Sequence, residues 1–268
     1  MKPYMGAAIL CSTYLLTILL GLNNAAILLP QMYPPPGQKE TITPMFENPD
    51  SMWSSAQLII YLFASTVVML ILIKKGWSLP IKAAILLSFL IGTMMTLTNI
   101  LDVWGIIPAV AVVAWAFWKK GVAITNLVLM LTIAGVGAIL GASLGFLPAL
   151  ALILVMSVYD IIAVFGTKHM VTIARESVGK YPLMFTIPTA DKAMGLGAGD
   201  IAIPLTFSAS VLASHGMGYA LTTAYGGLLG LTALYYYMLG KRDVTLPALP
   251  PITAGLLIGY CLCAIIVG

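Results

Sequence analysis

The sequence predicts an all-α, polytopic membrane protein, and three observations carry that prediction. Hydrophobic residues make up 60% of the 268 and charged residues 8%, with a mean hydropathy of +1.03. Such values exclude a soluble globular domain, and no segment shows the ten-residue alternation of an outer-membrane barrel. The apolar residues also gather into nine runs that suit transmembrane helices: 5–29, 55–73, 80–100, 103–118, 121–145, 147–167, 193–214, 217–239 and 246–267. With nine spans, Lys2, Lys74, Lys75, Lys82, Lys119, Lys120, Lys168, Arg175, Lys180, Lys192, Lys241 and Arg242 all fall on one side of the membrane. Only Lys39 falls on the other, so 12 of 13 basic residues agree with one orientation. By the positive-inside rule the N-terminus is expected in the cytoplasm and, after an odd number of spans, Gly268 outside.

Taken in order, the first run follows Met1-Lys2 and is too long for the apolar part of a signal peptide, so it is expected to stay as an anchor. Residues 30–54 form an outer loop with Pro34-Pro35-Pro36, Glu40, Glu47 and Asp50, expected to be solvated and partly extended. Asp102, between the third and fourth runs, reads as a solvated loop acid. The fifth run carries Gly137, Gly141 and Gly145, a row suited to close helix packing. Gly141-Ala-Ser143-Leu-Gly145 also fits the GxSxG pattern, but no strand precedes it, so small-residue packing is the better reading. An inner loop over 168–192 contains Tyr181-Pro-Leu-Met-Phe-Thr-Ile-Pro188, an apolar and β-prone tract. It fits either a membrane-surface segment or an edge that binds a peptide.

Other signals are bland. Cys11, Cys261 and Cys263 all lie inside apolar runs and make no disulfide framework. His169 and His215 are isolated, so no zinc site and no metal are expected. Asn23, Asn24 and Asn99 read as span-boundary residues, and tyrosines 235–237 as an interfacial belt. The net charge of +4 does not point to nucleic acid, because the basic residues cluster at the ends of apolar runs.

Three stretches carry chemistry. The sixth run contains Tyr159-Asp160 and the seventh contains Gly197-Ala198-Gly199-Asp200. An intramembrane acid costs roughly 3 kcal/mol on insertion scales and is by default functional. Asp160 lies eight residues before Lys168 and Asp200 eight after Lys192, so in helical geometry each sits roughly 12 Å below the cytoplasmic boundary. Sequential antiparallel helices are usually neighbours, so the two acids can face each other. A facing pair in a small wet cavity can share one proton, leaving one member to take a proton from water and the other to polarise a carbonyl. The glycines disfavour regular helix and leave room for another backbone beside Asp200. The ninth run opens with Leu246-Pro247-Ala248-Leu249-Pro250-Pro251. Leu249 would be roughly 10 Å deep if helical, and the prolines leave carbonyls without intrahelical donors. A second Pro-Ala-Leu, at 148–150, opens the sixth run at the opposite face and is read as accidental.

Together these stretches resemble the presenilin and signal peptide peptidase family of intramembrane aspartyl proteases, whose pattern is YD, GxGD and PAL on successive catalytic helices. Order, spacing and layout match over essentially the whole chain. The resemblance implies an aspartic endopeptidase that cuts transmembrane helices within the membrane, using Asp160, Asp200 and an activated water, with no cofactor. Residues 1–145 would then form a scaffold and 146–268 the catalytic helices. Tyr159, Gly197, Gly199, Leu246, Pro247, Ala248 and Leu249 are the positions it implies for substrate binding. The tract 181–188 and Val244-Thr245-Leu246 would pair with an unwound substrate. The partners implied are transmembrane protein substrates and the lipid bilayer; a homo-oligomer is left open. The N-in orientation is presenilin-like. The short chain and compact inner loop look most like an archaeal homologue in a prokaryotic membrane, where autoproteolysis of so short a loop is in doubt. From the residues alone, a proton-coupled transporter or channel is the alternative, since intramembrane acids and broken helices mark those proteins too. No repeat relates the two halves, and neither acid has a counterpart in the first half. A scaffold that binds helices without cutting them would tolerate loss of either acid.

Overall fold

A computed structural model describes residues 3–37, 39, 41–119, 121–166, 184–188, 193–239 and 246–267. The helices in chain order are α1 (Pro3–Met32), α2 (Met52–Lys74), α3 (Ser78–Leu101), α4 (Ile106–Lys119), α5 (Val122–Ala142), α6 (Phe146–Gly166), α7 (Gly199–His215), α8 (Met217–Met238) and α9 (Leu249–Val267). A single 3-10 turn, Asp102–Gly105, joins α3 to α4. Two short strands, β1 (Met184–Pro188) and β2 (Ala193–Gly197), form an antiparallel hairpin ahead of α7. Among the described residues this hairpin is the only strand structure.

Among the described residues six helical segments are long and apolar enough to cross a membrane, with Ser78–Lys119 counted as one. The others are in α1, α2, α5, α6 and α9. α7, at 17 residues, is too short to belong to that set, and α8 is also outside it. α7 packs against α1, α5, α6, α8 and α9, and Ile201, Leu205, Phe207, Ser208, Ala209, Ser210 and Val211 are all buried. A helix largely surrounded by protein can carry more polar residues than one in lipid, and Thr206, Ser208 and Ser210 are buried within this one.

The centre of the bundle is α1, α5 and α7. Leu10, Tyr14, Ile18, Leu22 and Ala25 of α1 are buried, and α1 packs against α3, α5, α7 and α8. Small residues allow the close approach. A Cβ on Gly137 would meet Leu205 Cδ2 at 2.6 Å, and one on Gly141 would meet the Thr206 carbonyl and Ala209. The glycine row of α5 is therefore the seat of α7, as small-residue packing in membranes predicts. Gly226 and Gly230 of α8 meet the backbone of α9 at Gly255 and Pro251 in the same way. Polar side chains tie helices together where lipid cannot compete. Asn24 donates to Thr96 at 3.2 Å, and Thr96 donates to the Leu131 carbonyl at 2.6 Å. Asn24 is thus a buried link from α1 to α3, not a boundary residue.

Other expectations need correction. The outer segment is mostly exposed, as expected, but it is also docked at its end: Phe46 is buried, Met45 N–H donates to Ser143 Oγ at 3.0 Å, and Gly145 N–H donates to the Pro49 carbonyl at 2.9 Å. Ser143 therefore anchors this segment, which agrees with its rejection as a nucleophile. Of the tyrosine run, Tyr236 and Tyr237 are exposed as an interfacial belt requires, while Tyr235 is buried. Asp102 is exposed, as expected, with a left-handed φ of 56°. The largest correction concerns the seventh run. Its residues 193–197 are a strand and the helix begins at Gly199, so the helical rise used to gauge the depth of Asp200 does not apply to that stretch. Glycine spacing at 195 and 197 reads equally as loose helix or as strand; pairing with 184–188 decided it.

Candidate active site

Four pieces of chain build the site: the middle of α6, the start of α7, the hairpin before it, and the start of α9. Asp160 lies six residues before the end of α6 and is half-buried. Asp200 occupies the first turn of α7. The two helices pack together, and the carboxylates are close enough for the charge of Asp160 to act on Asp200. The two acids thus lie on packed helices, although the depth reasoning from helical rise does not hold for the stretch before Asp200.

Each carboxylate is gripped by backbone from a different motif. Leu249 N–H, the first amide of α9, donates to Asp160 Oδ2 at 3.1 Å, and the Ala248 amide is a second backbone donor to the same group. Gly197 N–H donates to Asp200 Oδ2 at 3.2 Å. The amides at the start of a helix have no partner within the helix, so α9 lends one of its own unpaired donors to α6. The prolines at 247, 250 and 251 hold the chain at this junction. Leu246 and Pro247 are half-buried and outside regular structure, while Ala248 and Leu249 are buried. The Pro-Ala-Leu segment thus acts on Asp160 through its main chain.

The motif glycines separate by role. A Cβ on Gly197 would lie 2.9 Å from Asp200 Oδ2, inside the carboxylate's own space. One on Gly195 would meet only the end of the Met184 side chain, at 2.7 Å. Gly199 is exposed and has open space where a Cβ would be. Gly197 is required by the folded site itself, and Gly199 leaves room for something that approaches it.

Tyr159 turns elsewhere. Its ring packs edge-on against Phe63 of α2, with centroids 4.8 Å apart and planes at 89°. The structure brings Asp160, Asp200, Gly197, Ala248 and Leu249 together, and sets Tyr159 as packing between α6 and α2. Pro148, in the second Pro-Ala-Leu, accepts from Ser55 Oγ at 2.6 Å at the far end of α6, apart from the site. His215 is likewise remote, 15 residues or roughly 22 Å along α7 from Asp200. Val244, Thr245, His169 and residues 181–183 lie outside the described residues. Among the described residues no cluster of three or more metal-ligating side chains occurs.

Spacing did not foresee the hairpin. β1 and β2 pair from Met184↔Gly197 to Pro188↔Ala193, with Phe185, Ile187 and Leu196 buried. The tract 181–188 was expected to pair with a substrate, but over 184–188 it pairs with β2. Asn126 of α5, which the sequence reading passed over, holds Thr186 on the other side through two hydrogen bonds. A polar amide within an otherwise apolar span was the signal that could have found it.

The sequence model of the family described as "Signal-peptide peptidase, presenilin aspartyl protease" matches residues 16–268. The chain belongs to this family. Two solved structures, each titled as a presenilin family intramembrane aspartate protease, one in space group C222 and one in P2, are similar to it. The first is 25% identical with a TM-score of 0.68 and covers 95% of this chain and 98% of its own. The second is 26% identical with a TM-score of 0.69, covering 95% and 97%. No curated protein matches the chain. This presenilin-family member is an intramembrane aspartyl endopeptidase, embedded as a multi-pass protein in a lipid bilayer and acting on transmembrane substrates.

Proposed function

We propose that Asp160 and Asp200 are the catalytic pair and that they hydrolyse a peptide bond of an unwound transmembrane helix. Two carboxylates that share a low-dielectric site resist ionising together, so in this reading the pair holds one proton between them. The ionised acid takes a proton from water, the hydroxyl oxygen attacks the scissile carbonyl carbon, and the protonated acid donates to the carbonyl oxygen. Collapse of the tetrahedral gem-diol breaks the C–N bond: the amine leaves with a proton from the protonated acid, a gem-diol hydroxyl returns a proton to the ionised one, and the pair ends with the single proton it began with. One observation carries this reading: each carboxylate gives an oxygen to a fixed backbone N–H, Asp160 to Leu249 and Asp200 to Gly197. That leaves the acids preorganised with little to rearrange as charge develops.

The hairpin supports a docking mode for substrate. The N–H and C=O of Thr186 both turn to Asn126, so Thr186↔Gly195 is a non-hydrogen-bonded pair of the ladder. By the same alternation the N–H and C=O of Gly195 point to the outer edge of β2. An extended substrate strand added there would run toward Asp200, with its backbone bonds satisfied by protein rather than lipid. Gly199, open beside it, gives the scissile segment room. Leu246 and Pro247 border the same junction from the α9 side. Tyr159 stays as packing.

The topology we favour has nine spans with the N-terminus cytoplasmic and the C-terminus outside, in a prokaryotic membrane of archaeal type. Lys74, Lys75 and Lys119 at the ends of α2 and α4, and Lys82 at the start of α3, fit that orientation. The test is cleavage of a purified single-span substrate by the reconstituted protein, comparing wild type with Asp160→Ala, Asp200→Ala and the two Asn variants. Product in wild type and none in any variant is expected. Continued cleavage by either alanine variant would sink the paired-acid mechanism.

A further inference from the structure

We propose that Asn126 is a positioning residue that fixes where the substrate-bearing hairpin sits, and so selects which peptide bond reaches the acids. The inference rests on the protease reading above and concerns a residue that touches neither acid. Asn126 lies in α5, five residues after Gly121, and belongs to none of the family motifs. Its Nδ2 donates to the Thr186 carbonyl at 2.9 Å, and its Oδ1 accepts from Thr186 N–H at 3.1 Å. A carboxamide carries the same donor and acceptor as a peptide group, so this side chain stands in for one residue of a third strand beside β1.

The consequence is mechanical. β1 packs on α1 and α5, and buried Phe185 and Ile187 hold it by contacts that resist separation but permit sliding. Apolar packing has no direction, and a two-stranded hairpin is marginal alone. Two hydrogen bonds to a single residue do have direction. They fix Thr186 along the strand, and the ladder transmits that setting across Thr186↔Gly195 to the outer edge of β2. Gly197, two residues on, holds Asp200. The same tether therefore sets the substrate's docking edge relative to the carboxylates. A single side chain on α5, in the scaffold half, would control register in the catalytic half.

The experiment uses the full chain reconstituted with the single-span substrate, reading kcat, KM and the cut positions by mass spectrometry. Asn126→Leu removes both hydrogen bonds and keeps a side chain of similar size. With two bonds lost, kcat/KM is expected to fall about tenfold, and products are expected to spread to bonds neighbouring the wild-type cut. Thr186→Pro removes the strand's N–H from the other side. It spares the ladder to β2, because Thr186 turns away from it, and it reports on the same contact if Asn126→Leu folds poorly. The double variant should lose little beyond either single one, since all three break one link. Wild-type kinetics with an unchanged cut pattern in Asn126→Leu would overturn the proposal. So would a uniform loss of activity with the cut pattern unchanged, or additive losses in the double variant. Failure of the protease reading is distinct: there wild type would give no product, or Asp160→Ala would.

Discussion

Gly197→Ala is the sharpest single test of the site's geometry. The added methyl would stand 2.9 Å from Asp200 Oδ2 and 3.5 Å from Cγ. Ordinary carbon–oxygen contacts begin near 3.4 Å, so the carboxylate must move by about 0.5 Å or turn to another rotamer. Either response breaks its 3.2 Å bond from Gly197 N–H. A hydrogen bond to a charged group contributes about 1.5–3 kcal/mol, which corresponds to a loss of roughly ten- to a hundredfold in kcat. Because the methyl displaces a side chain and not the fold, Tm should change by only a few degrees. The assay is cleavage of the single-span substrate beside thermal unfolding of each variant. Two neighbours serve as controls. Gly195→Ala meets only the mobile end of Met184, 2.7 Å away, and should keep activity within a few-fold. At Gly199, where nothing lies within 4 Å, substitution should leave Tm unchanged and raise KM as the side chain grows. Wild-type kcat in Gly197→Ala, or equal losses at 195 and 197, would refute the argument that Gly197 exists to make room for the carboxylate.

Two further outcomes follow from the same contacts. Leu249→Pro deletes the N–H that holds Asp160 at the first position of a helix whose first turn already carries Pro250 and Pro251; kcat should fall roughly tenfold or more with the protein still folded, as checked by cleavage kinetics and circular dichroism. Tyr159→Phe keeps the edge-on contact with Phe63 and should cleave at the wild-type rate, whereas a large loss of kcat on removing only the hydroxyl would show that Tyr159 works on the acids after all.

Much of the site was legible in the chain because its cost is legible. An aspartate in an apolar run is expensive, and two of them on consecutive spans explain each other only by meeting, so Asp160 and Asp200 could be paired from sequence. The membrane character, the glycine row of α5 and the rejection of Ser143 as a nucleophile follow from composition and spacing for the same reason. What the chain could not reveal were choices that depend on a distant partner. Asn24 looks like a boundary residue until Thr96 and Leu131 are beside it. Residues 193–197 look helical until Met184–Pro188 pair with them, since an apolar stretch with glycines satisfies its backbone equally well either way. The difference between Gly197 and Gly199 is invisible in a motif that contains both. Local sequence determined where polar groups had to be buried; only the packed bundle decided which backbone amide, strand or side chain would satisfy each of them.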